Sequence, residues 1–246
     1  MDRLIYTAYS GLTGSMVTQA VIASNMANAQ TIGFRAEMLN ADPMTLKGPS
    51  IEARAMTRGE VRGASMKQGA VIETGNPLDV ALTGPTMLAV QGADGEEAYT
   101  RRGDLAVDAT GVLTNGDGRP VVGDAGPVTV PPGAKITIAP DGRVLAALPE
   151  APDQPPQEVG RLKLVSTAGS RIEKGLDGLF RVPGSGALPA DEEARLQTGS
   201  LEQSNVEPTR VLVEMVEAQR LFDMRTKLIS TARELDEGGA GLMRLT

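Results

Sequence analysis

Residues 204–239 read SNVEPTRVLVEMVEAQRLFDMRTKLISTARELDEGG, and this stretch decides the architecture. Ser204-Asn205-Val206-Glu207-Pro208 offers a capping residue and then a proline, which the first turn of a helix tolerates. An apolar stripe follows at Val211, Met215, Ala218, Phe222, Ile229 and Ala232, with Arg225 its only intruder. A second row, Leu221, Met224, Leu228 and Leu235, runs beside it. The apolar surface is therefore wider than a coiled-coil seam, as a helix with several neighbours requires. Gly238-Gly239 ends it. About 30 residues at about 1.5 Å each predict a rod of roughly 45 Å.

The other end of the chain carries a matching element. From Asp2 to about Asn28 a stripe falls at Ile5, Ala8, Leu12, Ser15, Gln19, Ile22 and Met26, in steps of three and four. Ser15 and Gln19 interrupt it, and Gly11 and Gly14 each weaken isolated helicity by roughly 1 kcal/mol relative to Ala. Such a helix depends on packing. Asn25-Met26-Ala27-Asn28 and then Thr31-Ile32-Gly33-Phe34 read as a helix end running into a turn. Gly33 there permits backbone geometry closed to other residues, and Phe34 anchors the turn.

Between the helices the signals are those of strands. Leu78, Val80 and Leu82 alternate with Asp79, Ala81 and Thr83, a half-buried strand. Strands are predicted likewise at 71–74, 87–91, 105–107, 112–114, 136–138 and 162–164. The turns between them are Gly75-Asn76-Pro77, Asp94-Gly95, Asp108-Ala109-Thr110-Gly111, Asn115-Gly116-Asp117-Gly118 and Pro140-Asp141-Gly142. Their recurrence predicts an antiparallel β domain. Pro43, Gly48, Pro49 and Gly59 break any long element in the preceding stretch, and the Pro-rich run 148–156 reads as an exposed loop. The expected layout is an N-terminal helix and turn at 1–38, an extended linker at 39–70, a β-rich domain at 71–200 and a C-terminal helix at 201–246. The fold class is α+β.

The inventory leaves catalysis little to work with. The 246 residues contain no His and no Cys, which removes the usual general base, thiol nucleophiles, disulfides and the commonest metal ligands. Aromatics make up 2% of the chain and the net charge is −7, so neither base stacking nor phosphate neutralisation is supported and no nucleic-acid partner is expected. No stretch approaches the roughly 18 apolar residues of a membrane span. The opening MDRLIYTAYSGLTGSM lacks the basic and apolar regions of a secretory leader.

Several quoted segments resemble the flagellar basal-body rod and hook family. They are Ser10-Gly11-Leu12; Ala23-Ser24-Asn25-Met26-Ala27-Asn28-Ala29-Gln30-Thr31-Ile32-Gly33-Phe34-Arg35; Thr74-Gly75-Asn76-Pro77-Leu78-Asp79-Val80-Ala81-Leu82; Tyr99-Thr100-Arg101-Arg102-Gly103; Leu201-Glu202-Gln203-Ser204-Asn205-Val206; and Glu217-Ala218-Gln219-Arg220. They cover most of the chain in the family's order. Met1-Asp2-Arg3-Leu4-Ile5-Tyr6, the chain length and Phe222-Asp223-Met224 resemble the proximal-rod branch, with the distal-rod branch its neighbour. Ser24 stands where Asn is common in the family, and Met87-Leu88 where Phe-Phe is common, which bears on core packing.

The resemblance implies a structural part of the drive shaft in the periplasmic space. It implies export, unfolded, through the flagellar type III apparatus without a cleaved signal peptide. Terminal helices are expected to pack axially into a coiled-coil tube that transmits torque for motility. The implied partners are further copies of itself, the rod proteins FlgB, FlgC and FlgG, and the export apparatus. No cofactor, metal or catalytic residue is assigned. The expected assembly interface comprises Ile5, Leu12, Ile22, Asn25, Met26, Asn28, Gly33 and Phe34 from the first segment. The last segment adds Val211, Met215, Phe222, Leu228, Ile229 and Leu235.

The rival readings are a secreted carboxylate-dependent hydrolase and a monomeric binding module. Paired carboxylates for the first could come from Asp191-Glu192-Glu193 or from Asp94, Glu96 and Glu97, though both sets fall in expected loops without sugar-stacking aromatics. Asn115-Gly116-Asp117-Gly118 lacks the ligand spacing of a calcium loop and reads as a hairpin turn. Gly184-Ser185-Gly186 lacks the third glycine of a dinucleotide loop.

Overall fold

A computed structural model describes residues 2–45, 55–148, 154–184 and 186–243. The chain divides into two compact units. One joins Met1–Ala27, Glu37–Gly63 and Glu207–Thr246; the other joins Asn28–Ala36 and Ala64–Val206. The class is α+β.

The helical unit contains α1 (Asp2–Ala27) and α2 (Pro208–Met243), together with strands β1 (Glu37–Thr45) and β2 (Ala55–Ala64), which pair in a two-stranded sheet; α2 runs on through Gly238-Gly239, a correction to the stop expected there. The helices are antiparallel. Arg225 of α2 meets Gly11 and Ser15 of α1, while Gln219, nearer the start of α2, meets Gln19. Neither Ser204 nor Asn205 caps α2. Its first backbone bond runs from Val211 N to the Glu207 carbonyl at 3.1 Å, and the Ser204 and Asn205 side chains are engaged inside the β domain.

The β unit runs through β3 (Val71–Glu73), β4 (Val80–Leu82), β5 (Thr86–Gln91), β6 (Glu97–Thr100), β7 (Leu105–Val107) and β8 (Leu113–Asn115). It continues with β9 (Val122–Gly123), β10 (Gly126–Pro127), β11 (Lys135–Ile138), β12 (Arg143–Ala147), β13 (Gln157–Arg161) and β14 (Leu164–Ser166). The last are β15 (Glu173–Lys174), β16 (Phe180–Arg181), β17 (Leu196–Thr198) and β18 (Ser200–Glu202). A five-stranded sheet of order β14-β5-β6-β16-β15 and a three-stranded sheet β11-β12-β13 are joined by four two-stranded pairs. The strand pairs of this unit are antiparallel, as the turn signals predict.

Strand β5 organises the core because both of its faces are covered. Leu88 and Val90 point into the larger cluster with Leu113, Val144 and Leu162; Met87 and Ala89 point into a second with Tyr99, Val165 and Phe180. Full burial of each large side chain here contributes roughly 1.5–3 kcal/mol. Met87, where an aromatic pair is common in the family, is fully enclosed, so the core closes with fewer aromatics. The half-buried strand expected at Leu78–Thr83 is a correction: β4 is buried at every position, because β17 pairs along its edge and neighbours cover both faces.

The turns follow the expected chemistry. The Asp108 carboxylate accepts bonds from the Thr110 and Val112 amides at 2.8 and 2.9 Å, and these bonds with that of the Thr110 hydroxyl hold its pKa below the ordinary range. Asn115 Oδ1 accepts from the Asp117 and Arg119 amides at 3.1 and 3.0 Å, the geometry of a turn. In the Thr74–Asp79 motif, buried Asp79 binds the Thr74 hydroxyl at 2.6 Å and Asn76 Nδ2 at 2.9 Å. Much of the Pro-rich run, 149–153, lies outside the described residues, as does Ser185 of the glycine loop.

Candidate assembly surfaces and the chain-entry segment

In α2 the positions turned inward are Val211, Glu214, Ala218, Phe222, Arg225, Ile229 and Ala232, spaced by three and four. Met215 is the one member of the expected stripe that departs: it is exposed, and Glu214 takes the inward place. The helix is rotated so that Arg225 faces α1, donating to the Gly11 carbonyl and to the hydroxyl of buried Ser15. Arg225 and Ser15, which interrupt the sequence stripes, are thus the pin between the two helices. Gln19 plays the same part, donating to Gln219 Oε1 at 3.3 Å.

The outward face of α1 is free of charge, and that of α2 sets exposed apolar side chains among Glu217, Arg220, Asp223 and Lys227. On α2, Val213, Val216, Leu221, Met224 and Leu228 are exposed, Met224 to 58% and Leu228 to 64%. On α1 the outward row is Tyr9, Thr13, Met16, Ala20, Ala23 and Ala27, with Tyr9 66% and Met16 57% exposed. No charged residue occurs anywhere from Leu4 to Phe34. A helix face meant for water ordinarily carries charge. Leu12 and Met26 are half-buried within the helical unit, and Ile22 is buried there. Ile5 and Leu235 lie in α1 and α2, with side chains outside the described residues.

Asn25, near the end of α1, is buried and makes two backbone-like bonds to Glu37: its Oδ1 accepts from the Glu37 amide at 2.8 Å and its Nδ2 donates to the Glu37 carbonyl at 3.1 Å. It thereby fixes the start of β1 against the helix.

The turn that follows belongs to the β unit. Thr31 N donates to the Asn28 carbonyl at 3.1 Å, and the Thr31 hydroxyl to Asn28 Oδ1 at 3.1 Å. Gly33 sits at φ 67°, and a Cβ there would lie 2.5 Å from the Arg101 and Arg102 backbone, so glycine is required by conformation and by space. Its amide donates to the Glu202 carbonyl at 2.8 Å. Phe34 is half-buried, with Lys174 Nζ 3.6 Å from its ring centroid.

Behind the turn lies a charge cluster that sequence reasoning left without a role. Glu202 Oε1 pairs with Arg35 at 2.8 Å and Oε2 with Arg101 at 2.7 Å, all three side chains being at most 2% exposed. Arg101 also donates to the carbonyls of Leu82, Gly84 and Thr86. Burial pushes the Arg35 guanidinium down to about 10 and lowers Arg101 as well, with Glu202 opposing both. Nothing local marks these residues as partners, since Arg101 and Glu202 are 101 positions apart.

Three of the carboxylates weighed for hydrolysis, Asp94, Glu97 and Asp191, are held in local contacts. Glu97 pairs with Lys163 at 2.8 Å and accepts the Tyr99 hydroxyl at 2.7 Å, Asp94 pairs with Arg181 at 3.3 Å, and Asp191 accepts the Glu193 amide at 3.0 Å. Among the described residues no three acidic side chains converge as metal ligands, and no helix is long and apolar enough to cross a membrane.

Residues 81–146 match the family pattern described as the flagellar hook protein FlgE/F/G D1 domain, and residues 197–242 that of the flagellar basal body rod FlgEFG protein C-terminal region. The flagellar basal-body rod protein FlgF of Escherichia coli is 44% identical over 237 residues, covering 94% of both chains. The chain belongs to the flagellar basal-body rod and hook family. Within that family the FlgF of Salmonella typhimurium is 42% identical, covering 98% of this chain and 97% of its own. The flagellar basal-body rod protein FlgG of Agrobacterium fabrum stands lower, at 32% identity covering 95% of this chain and 96% of its own. The matches span both units, so the chain is a structural component of the basal body that assembles with other rod proteins, and the enzyme reading is set aside.

Proposed function

We propose that the outward faces of α1 and α2 are the surfaces through which this chain packs axially with its neighbours to build the proximal rod. The carrying observation is the absence of charge along α1 from Leu4 to Ala27, together with the exposure of Leu221, Met224 and Leu228 on α2. The α1 face is large at Tyr9 and Met16 and small at Ala20, Ala23 and Ala27, and the α2 row is large, which suits ridge-into-groove packing between different molecules. A surface that meets a different surface on the next copy extends a stack instead of closing a dimer. The neighbours in this reading are further copies and the rod proteins FlgB, FlgC and FlgG. Torque passes along the packed helices. The chain reaches the periplasmic part of the basal body through the flagellar export apparatus.

The test is site-specific photocrosslinking from position 16 and position 228 in purified basal bodies. Adducts to rod proteins from both positions support the reading. Adducts from a control position on the β domain only, with none from 16 or 228, overturn it.

A further inference from the structure

We infer that Glu202 and Asn205 form a clamp that fastens the β domain's incoming and outgoing segments together, so that load on the chain meets these side-chain contacts before it meets strand pairs. The chain passes between the two units after Ala27, Ala36, Gly63 and Val206. Within the β unit, the pieces bearing those ends are Asn28–Ala36, the segment that starts at Ala64 and the one that ends at Val206.

The last two form the β3–β18 ladder, which is antiparallel with Val71 opposite Glu202 and Glu73 opposite Ser200. Residues before Val71 and after Glu202 therefore lie at the same end, the end from which tension would peel the ladder apart. The ladder is short, three residue pairs flanked by backbone bonds from Gln203 N to the Ala70 carbonyl and from Thr74 N to the Gly199 carbonyl, each 2.8 Å, and β3 is exposed at every position.

At that end the fasteners converge on two side chains. Asn205 Nδ2 donates to the carbonyls of Ser65 and Lys67 at 2.9 and 2.8 Å, and its Oδ1 accepts from the Ala36 amide at 2.7 Å. Glu202 Oε1 accepts from the Gly69 amide at 2.8 Å and holds Arg35, while the Glu202 carbonyl receives the Gly33 amide. Arg35 in turn donates to the Lys67 carbonyl. Arg101 ties Glu202 to the carbonyls of Leu82 and Thr86, at the edges of buried β4 and β5. Two buried guanidiniums share one carboxylate, so a neutral side chain at 202 leaves them facing each other uncompensated. Such contacts are directional and hold one register, which the short ladder by itself does not.

The load-bearing role rests on the rod reading; the clamp itself does not. Amide exchange on the purified full chain, with N205A and E202Q, tests the clamp. The expected result is acceleration on the order of tenfold or more at 33–36 and 65–69, with the amides of β5 and β6 unchanged. Half-buried Asn205 supplies the variant that keeps its fold. Unchanged exchange at 33–36 and 65–69, or equal acceleration throughout the β domain, overturns the clamp. Single-molecule pulling from the two chain ends tests the load. A lower rupture force in N205A supports it, and loosened exchange with an unchanged force overturns the load-bearing role while leaving the rod assignment intact.

Discussion

The β domain and the helix pair solve the problem of apolar surface in opposite ways. The β domain encloses Leu82, Met87, Leu88, Val90 and Leu113 completely and even brings a carboxylate and two guanidiniums inside. The helix pair spends its polar contacts between the helices, at Arg225, Ser15 and Gln19, and turns Tyr9, Met16, Met224 and Leu228 outward. The first arrangement suits a body finished on its own. The second leaves exposed apolar side chains for other molecules, since helices in proteins derive most of their stability from packing.

The largest effect should come from the outward row. M224E together with L228E adds charge at positions exposed in the monomer, so unfolding free energy in urea should move by no more than about 0.5 kcal/mol. Rod incorporation and swimming should nevertheless be lost. A swimming, rod-incorporated double variant would break the contrast between the two regions. The next largest is L88A, which opens a cavity where β5 meets the larger cluster and should cost about 2–5 kcal/mol of β-domain stability. Denaturant titration followed by a probe in the β domain measures it, and a cost of the size seen for a surface substitution would show that this core is not closed. G33A should cost about 1–3 kcal/mol, because a left-handed backbone position and a 2.5 Å approach to Arg101 oppose any Cβ. An unaltered melting temperature would mean that the turn relaxes around the new methyl group.

Sequence periodicity revealed the helices and most strands because those signals are local. Val211, Ala218, Phe222, Ile229 and Ala232 fall inward as their spacing predicts. Met215 does not, because helix rotation was set by Arg225, whose partners lie 210 and 214 positions away. The short strands β15 to β18 carry too few residues to display a period. Ser204 and Asn205 look like helix caps from sequence, and the backbone they satisfy instead belongs to Ala36, Ser65, Lys67 and Val206. Of the candidate site, Gly33 and Phe34 were legible from glycine chemistry and an adjacent aromatic. Arg35, Arg101 and Glu202 were not, since a buried ion cluster leaves no trace in any single segment.

The smallest effect tests whether the β domain excludes water as fully as its geometry indicates. Burial pushes the Tyr99 hydroxyl up to about 12 from its ordinary 10.0, opposed by the bond it accepts from the Leu188 amide and reinforced by its bond to Glu97. An unfolded chain releases that proton near 10.0 while the folded one retains it to about 12. The resulting stabilisation is whole below the unfolded value and is lost as pH rises through the folded one. In a Y6F/Y9F background Tyr99 is the remaining tyrosine, so ultraviolet titration reports it without overlap. Ionisation near 12 is expected, with denaturant stability declining between about 10 and 12. Ionisation near the ordinary value with the fold intact would mean that water reaches the second cluster, and the contrast with the open-faced helices would narrow to one of degree.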